Sequence, residues 1–443
     1  MILLPYSLLL LFLVFFLIDT KKAILVAVMI RPVIDCFYEA KYAFAGIKPT
    51  EFLGFLLPTL VCAKILLSRN HSFTRSKFSF LWIVFIFVQL FGTVLIVTVG
   101  DDAMLGLNYY YRAFNGFIGF FIFQEFFKSR DEFRVLLLVH LAAGLVPLGM
   151  SVYQNILGGT IRSEATIGGL VRNIGFYHDA YTLRLYCFQT LAAGILYWSY
   201  FLSGIKFLTR SLLVVMGGIA GFTIYKIFSK AGYLVLLEWL MVWYTVQRKF
   251  VKIAAIALVM VCAAVVFQEK LVVLETLDTV YSKEVGAFHG KEKSDRLFQG
   301  RVGTWKVAMK EYSELPLYMQ IVGDGSPHTG AHNDFLRALL GTGFVGLFLY
   351  LMLLGAIGWR VLLNCWRVPS PLNTMALMLM GMWLIDAMGL VPGAYPGYQI
   401  FVWGFVGLAL RGVEGLSAPG EVTLEIAAET EPQSTLGRGE LPC

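Results

Sequence analysis

The sequence predicts an all-α fold: a polytopic bundle of about 12–13 transmembrane helices with one large extracytoplasmic loop. Three observations predict it. Of the 443 residues, 58% are hydrophobic and only 15% charged, against about 25% charged in a soluble domain, and the mean hydropathy is +0.71. Apolar runs near or above ~18 residues recur along the chain. Those runs are continuous and do not alternate, so backbone groups that lipid cannot satisfy pair within helices and not around a barrel.

In order, the runs place spans near 3–18, 23–38, 51–68, 78–99, 108–127, 134–153, 181–203, 210–228, 231–247, 250–267, 335–358, 373–391 and 397–411. The apolar start Met1–Ile18 resembles a signal peptide, but no small-residue cleavage site follows it, so it reads as a retained span. Basic residues fall at every second connection: Lys21-Lys22, Arg69 with Arg75 and Lys77, Lys128 with Arg130, Lys206 with Arg210, Arg248-Lys249, and Arg360 with Arg367. Positive connections stay inside, which leaves 39–50, 100–107, 154–180, 229–230, 268–334 and 392–396 outside. The domain organisation follows. Residues 1–267 are transmembrane helices with the outer loop 154–180. Residues 268–334 form the large outer loop, and 335–411 are the C-terminal helices. Residues 412–443, rich in Pro, Gly, Ser, Thr and Glu, read as a disordered cytoplasmic tail. The net charge of +7 sits mostly in the short connections, so it reports topology and argues against a nucleic-acid partner. The six cysteines show no paired spacing and predict neither a disulfide framework nor a metal site.

Residues suited to polar chemistry gather in 301–346, ahead of and within the start of a hydrophobic helix. Arg301 to Ser313 predicts an amphipathic helix on the membrane surface, with Val302, Trp305, Met309 and Tyr312 on one face and Arg301 one turn from Trp305. His332 immediately precedes the long apolar helix that opens with Asn333 and Asp334. The partial positive charge of a helix N-terminus, and nearby arginines, lower a histidine's pKa, and a neutral imidazole is a usable general base. Asn333 or Asp334 is then a helix cap, an orienter of the imidazole or a hydroxyl binder. A purely structural histidine at a helix start is the competing account. Gly323-Asp-Gly325 is a flexible approach suited to meeting a ligand, and Gly341, Gly343 and Gly346 suit close packing against a neighbouring span. His289 and His328 lack zinc spacing with His332, and no nucleotide loop, Gly-x-Ser-x-Gly or acidic Mg²⁺ cluster appears. No cofactor is therefore expected, and the energy for any transfer resides in the substrate.

Ionisable residues within spans cost roughly 2.5–3.5 kcal/mol each on insertion scales and call for a reason. Asp35, Arg112, Arg184, Lys230 and Asp386 all fall near the outer ends of their spans, and the outer loop adds Arg162, Arg172, His178 and Asp179. Snorkelling explains any one of them. An outward-opening cavity lined by cations, with a few acids, explains the set. Clustered Arg and Lys suit the phosphate or diphosphate head of a lipid. Anion transport competes, although the halves show no convincing repeat.

His332-Asn333, then residues 334–342, then Gly343-x-x-Gly346 resembles the signature of bacterial O-antigen ligases and of the related O-antigen and exopolysaccharide polymerases. Arg301-x-x-x-Trp305, Pro316 and Gly323-x-Gly325 are similar to the segment that precedes that histidine in the family. Val171-Arg172-Asn173-Ile-Gly175-Phe-Tyr-His178-Asp179 resembles an earlier outer-loop segment, with His178-Asp179 where Pro-Asn is frequent. Ser229-Lys230-Ala-Gly232 resembles the family's Ser-Arg-Gly turn, with a lysine in place of arginine. The resemblance spans roughly 160–360. It implies a metal-independent, inverting membrane glycosyltransferase using an undecaprenyl-diphosphate-linked glycan, multi-pass in the bacterial cytoplasmic (inner) membrane with its active site on the periplasmic side. His332 with Asn333 is then the catalytic pair. Arg301 and Arg172, with Arg184 and Lys230, bind diphosphate, and Arg112, Trp305 and Asp334 support them. The acceptor is a second lipid-linked glycan or lipid A–core, and a chain-length regulator and a flippase are the implied partners. A transporter or flippase of a lipid-linked glycan, and a non-catalytic scaffold working through its tail, remain open as alternatives.

Overall fold

A computed structural model describes residues 3–39, 48–68, 71–99, 103–165, 170–202, 207–252, 300–325 and 329–416, with a few isolated positions between 253 and 299. The described helices are α1 (Leu3–Ile18), α2 (Thr20–Ile34), α3 (Pro49–Leu66), the short α4 (Ser72–Arg75), α5 (Ser79–Val99), α6 (Ala103–Phe126) and α7 (Arg130–Asn155). After a small hairpin of β1 (Ser163–Ala165) and β2 (Val171–Asn173) come α8 (Ala180–Phe201), α9 (Phe207–Lys226) and α10 (Lys230–Val246). The rest are α11 (Arg301–Glu314), α12 (Leu317–Val322), α13 (Asp334–Arg367), α14 (Pro371–Gly389) and α15 (Pro396–Arg411). The fold is the helical bundle the hydropathy predicts. Among the described residues six helices, α3, α5, α7, α9, α13 and α14, are long and apolar enough to cross a membrane by themselves. Most of the expected span 250–267, and the tail beyond Leu416, lie outside the described residues.

Helix starts follow local chemistry. A polar side chain outside the first turn accepts from backbone N–H groups that have no partner within the helix. Asp19 accepts from Lys21 N and Lys22 N before α2. Ser129 and Glu132 form a reciprocal capping box at α7. Asp179 caps α8, Ser229 caps α10 and Ser370 caps α14.

The central contact is between α6 and α15. Gly116 and Gly119 on α6 face Gln399 and Ile400, while Gly404 and Gly407 on α15 face Phe123 and Phe120. A Cβ at Gly407 would stand 1.9 Å from the Phe120 carbonyl oxygen, so the backbones approach as small residues permit between membrane helices. Around this seam the aromatics pack edge to face: the Trp82 and Trp403 rings lie 5.3 Å apart, and those of Phe123 and Phe405 lie 5.5 Å apart.

The described connections sort to two ends. At one end Lys21 pairs with Glu132, Arg411 donates to the Gln124 carbonyl (2.8 Å), and the Arg130 guanidinium reaches the Tyr200 carbonyl (3.3 Å). At the other, Arg162 meets Glu39 (3.3 Å) and Tyr395 donates to Asp179 (2.8 Å).

Two features depart from the hydropathy reading. The outer loop 154–180 contains the antiparallel hairpin, which sets Glu164 opposite Arg172. The helix expected over 335–358 runs from Asp334 to Arg367 and is broken at Gly343 (φ 65°, ψ −168°). That break frees carbonyls one turn back, and the glycine segment meets them: Asp324 N donates to Leu340 O and Gly325 N to Gly341 O, both 3.1 Å. Gly323 and Gly325 have φ of 85° and 76°. A Cβ at Gly323 would lie 2.3 Å from Gly341 O, so only glycine fits. The segment expected to approach a ligand is instead docked against α13.

Gly407→Ala is therefore expected to destabilise the bundle by about 1–3 kcal/mol through overpacking at the α6 backbone. Gly149→Ala on α7, where nothing lies within 4 Å of the new Cβ, should be neutral or slightly stabilising. Thermal unfolding of the two variants in detergent checks the contrast.

Candidate functional site

The largest described cavity, about 630 Å³, opens at the end where the 154–180, 229–230 and 392–396 connections meet. Arg172, Arg184, Lys230, Arg301, Trp305 and His332 all line it, with Glu164 and Asp179 as the lining carboxylates. Four cations against two carboxylates leave the chamber basic. The structure thus brings together, from α8, α10, α11, the hairpin and the segment before α13, residues spread over 160 positions of sequence.

Arg184 is the deepest cation, 1% exposed on α8. Its Nη2 is ion-paired to Asp386 of α14, its Nη1 donates to Ser229 Oγ (2.9 Å), and its guanidinium covers the Tyr181 ring at 4.8 Å. Tyr398 donates to the second Asp386 oxygen (3.0 Å). Gly232 leaves room for this side chain, since a Cβ there would meet Arg184 Cδ at 3.1 Å. Ser229, Lys230 and Gly232 therefore work as one turn: the serine caps α10 and receives Arg184, the glycine lets it pass, and Lys230 stands on the cavity wall over the Tyr281 ring at 5.5 Å. Arg172 is held by Glu164 through Nε (2.9 Å) and Nη2 (2.7 Å).

Arg301 differs from these. At the N-terminus of α11, half-buried, it makes no hydrogen bond or ion pair to any described residue. Its guanidinium lies against Gly389, where a Cβ would stand 2.8 Å from Nη1. Burial, and repulsion from Arg184 and Arg172, push its pKa below the ordinary arginine value. It is a cation placed among cations.

His332 faces the same cavity and has φ of 46°, a left-handed conformation that a non-glycine residue adopts only when its surroundings impose it. Two contacts do so. Trp305 Nε1 donates to the Ala331 carbonyl (3.1 Å), pinning the preceding residue to α11. On the other side Asn333 Oδ1 accepts from Phe335 N and Leu336 N, both 3.0 Å, and its Nδ2 donates to the Met388 carbonyl (3.3 Å). Asn333 is thus the α13 cap, with its oxygen and one amide N–H engaged, and it positions His332. The imidazole is held below its ordinary pKa by partial burial and by Arg301.

Two expected members stand elsewhere. Asp334 is fully buried and turned into the bundle, accepting from Arg337 Nε (2.7 Å) and Tyr350 (2.6 Å), with Trp383 donating to Tyr350 (2.9 Å). Arg112 lies outside the main chamber, in a neighbouring cavity of about 260 Å³. The Asp-x-x-Arg spacing of 334 and 337 is a visible helix-pair signal that the sequence reading missed. The Glu164 partnership depends on hairpin register, and Gly389 on a tertiary contact, so neither has a local signal.

A bundle with six helices able to cross a membrane, holding a basic chamber at one end, defines a multi-pass membrane protein with a polar site at its rim. Residues 212–351 match the O-antigen ligase family. The matched stretch runs from α9 through the front half of α13 and includes Ser229, Lys230, Arg301, Trp305 and His332. Over that stretch the chain is similar to the O-antigen ligase family, which at family level is one of membrane glycosyltransferases that take a lipid-linked glycan and an acceptor. No curated protein matches the chain.

The proximity of Arg301 to His332 has a titration consequence. Removing the guanidinium charge removes a repulsion on the protonated imidazole, so the proton binds more readily and the pKa rises. Arg301→Met is expected to raise the His332 pKa from its depressed position towards 6.5. NMR titration of histidine-labelled protein checks this, with His332→Gln assigning the resonance. An unchanged or lowered midpoint would contradict the geometry.

Proposed function

We propose that the protein transfers a glycan from undecaprenyl diphosphate to an acceptor hydroxyl, at the periplasmic face of the bacterial inner membrane. The observation that carries this is Arg301: a half-buried guanidinium without a described partner, between other cations and directly beside a histidine kept neutral. Such a cation gains most from an anion with several oxygens, and a guanidinium binds a diphosphate bidentately. Lys230 and the remaining donors of Arg172 and Arg184 extend the same wall. The charge that develops on the leaving diphosphate is met by these side chains, so the reading assigns no metal and no cofactor.

In the step itself, His332 takes the proton of the acceptor hydroxyl. The hydroxyl oxygen forms a bond to the anomeric carbon from the side opposite the diphosphate. The bond from that carbon to the diphosphate oxygen breaks, its electron pair stays on the diphosphate, and the configuration inverts. Trp305 and Asn333 hold the His332 backbone in place, and Arg184 with Asp386 holds the chamber wall. The acceptor is lipid A–core for a ligase or a second lipid-linked glycan for a polymerase. A donor assembled inside needs an export step first, so a flippase precedes this reaction, and a chain-length regulator is its natural companion if the product is a polymer. The family match favours this enzyme reading over transport.

His332→Ala should lower transfer of a lipid-diphosphate-linked glycan in membranes by about 10²–10⁴-fold, the usual worth of a general base, with the protein still present in the membrane. Arg301→Ala should weaken donor binding as well as turnover, and Arg301→Lys should recover only part of it, because the ammonium lacks the fork. Wild-type product from His332→Ala would overturn the assignment. Labelling of cavity cysteines from the cytoplasmic side would favour a transporter.

A further inference from the structure

Behind Tyr395 lies the second cavity, of about 260 Å³, and it is built differently from the basic chamber. It is smaller than the ~300–1,000 Å³ typical of drug-sized ligand sites, so it suits one ring and not a stretch of chain. Its wall combines aromatic rings with amides: Tyr38, Phe55 and Tyr111 beside Asn108 and Asn115. Arg31 is also present, but its Nε lies 2.8 Å from Asp35 Oδ1, so its charge is met; Glu51 lines the wall too, its Oε2 accepting from Lys48 N (3.1 Å).

Apart from Arg31 Nε and Asp35 Oδ1, which face each other as an ion pair, two buried polar atoms in this wall have no hydrogen-bond partner among the described residues: Nη1 of Arg112 and Oδ1 of Asn115. They are three positions apart on α6 and so share a face. Asn115 is 1% exposed, and its amide nitrogen is fixed by the carbonyls of Gly54 (3.0 Å) and Tyr111 (2.6 Å), which orients the oxygen as an unused acceptor. Arg112 makes no ion pair with any described carboxylate, so it is an unused, charged donor. Buried polar groups are nearly always partnered, and one fixed acceptor beside one charged donor describes a ligand bearing a hydroxyl and an acidic oxygen. The flanking tyrosine and phenylalanine faces suit the C–H surface of a sugar ring.

The two cavities meet at Ala394 and Tyr395, which line both. The partition is one side chain thick: Tyr395 donates to Asp179 (2.8 Å) and packs on Tyr181 with ring centroids 4.5 Å apart. His178 lines the second cavity and Asp179 the first. A hydroxyl attacking opposite a diphosphate held at Arg301 has to arrive from a different direction than the donor, and this cavity provides a second approach.

We propose that the cavity around Arg112 and Asn115 is the acceptor subsite, taking a single sugar ring that carries one acidic group. The inference rests on the transferase reading and deepens it by naming the acceptor's chemistry. It is tested by titrating full-length protein in lipid nanodiscs with methyl glucuronide, methyl glucoside and inorganic phosphate, read by saturation-transfer NMR. Glucuronide should bind saturably and at least tenfold tighter than glucoside. Arg112→Met should remove that advantage, and Asn108→Ala should weaken it severalfold. Arg301→Met and His332→Ala should leave it unchanged, although His332→Ala should strongly lower transfer. Equal binding of glucuronide and glucoside, or full glucuronide affinity in Arg112→Met, would overturn the subsite while leaving the transfer assignment standing. Loss of glucuronide binding in Arg301→Met would move the ligand to the other chamber and equally overturn it. Arg112-dependent binding of phosphate alone would overturn the sugar. Should Arg112→Met melt early, Asn108→Ala together with Tyr111→Leu, on the same face of α6, decides the matter.

Discussion

The buried pair between Arg184 and Asp386 is the constraint on which the polar end of the molecule depends. Both groups are essentially without solvent, and two charges out of water are tolerated only when their remaining donors and acceptors are met. They are: Ser229 and the Tyr181 face complete Arg184, and Tyr398 completes Asp386. In doing so the pair ties α8, α10, α14 and α15 together at one end of the bundle. Removing either partner would leave an isolated charge among apolar helices, which costs about 3–5 kcal/mol. The chamber is shaped by this network, and Gly389, three residues past Asp386 on the same helix, supplies the bare surface on which Arg301 rests.

Because Arg184 and Arg172 carry their own carboxylates, the chamber's field is uneven. Arg301 makes no ion pair with a described acid, and burial together with the charges of Arg184 and Arg172 depresses its pKa. A ring of cations read from sequence alone suggests equal contributors. The folded chain divides them into struts, whose geometry is fixed by acids, and a guanidinium, Arg301, that meets no acid among the described residues.

Much of this was legible in the sequence, and the division between what was and what was not has a physical basis. Helix positions follow from hydropathy because lipid leaves the backbone no alternative. The association of Arg301, Trp305 and His332 was visible as a motif, and the Asn333 cap follows from residue type alone. What was not legible depends on pairing across distant elements. Nothing local in Glu164 marks it as the partner of Arg172, since that depends on hairpin register. Nothing in Arg112 separates it from Arg184, since both sit near outer helix ends; only the placement of the 390–395 connection puts Tyr395 between their cavities. The glycines of 323–325 looked like a ligand loop because φ > 0 serves any tight approach. Their true partner, the broken turn at Gly343, is a backbone event that no side chain announces.

A neutral histidine inside a basic chamber is a coherent arrangement on the transferase reading. Partial burial first, and the field of Arg301 with it, disfavour protonation of the imidazole, and on that reading the same guanidinium draws the diphosphate in. When the anion binds, its negative charge offsets the repulsion felt at His332, so the imidazole becomes more basic with the donor in place than without it. The empty site thus holds an available but weak base, and occupancy by the leaving group strengthens it when a proton has to be taken. A lysine at 230 fits this scheme, because it adds charge to the wall without competing for the bidentate geometry that Arg301 offers. Base strength and donor binding are then one electrostatic quantity seen from two side chains.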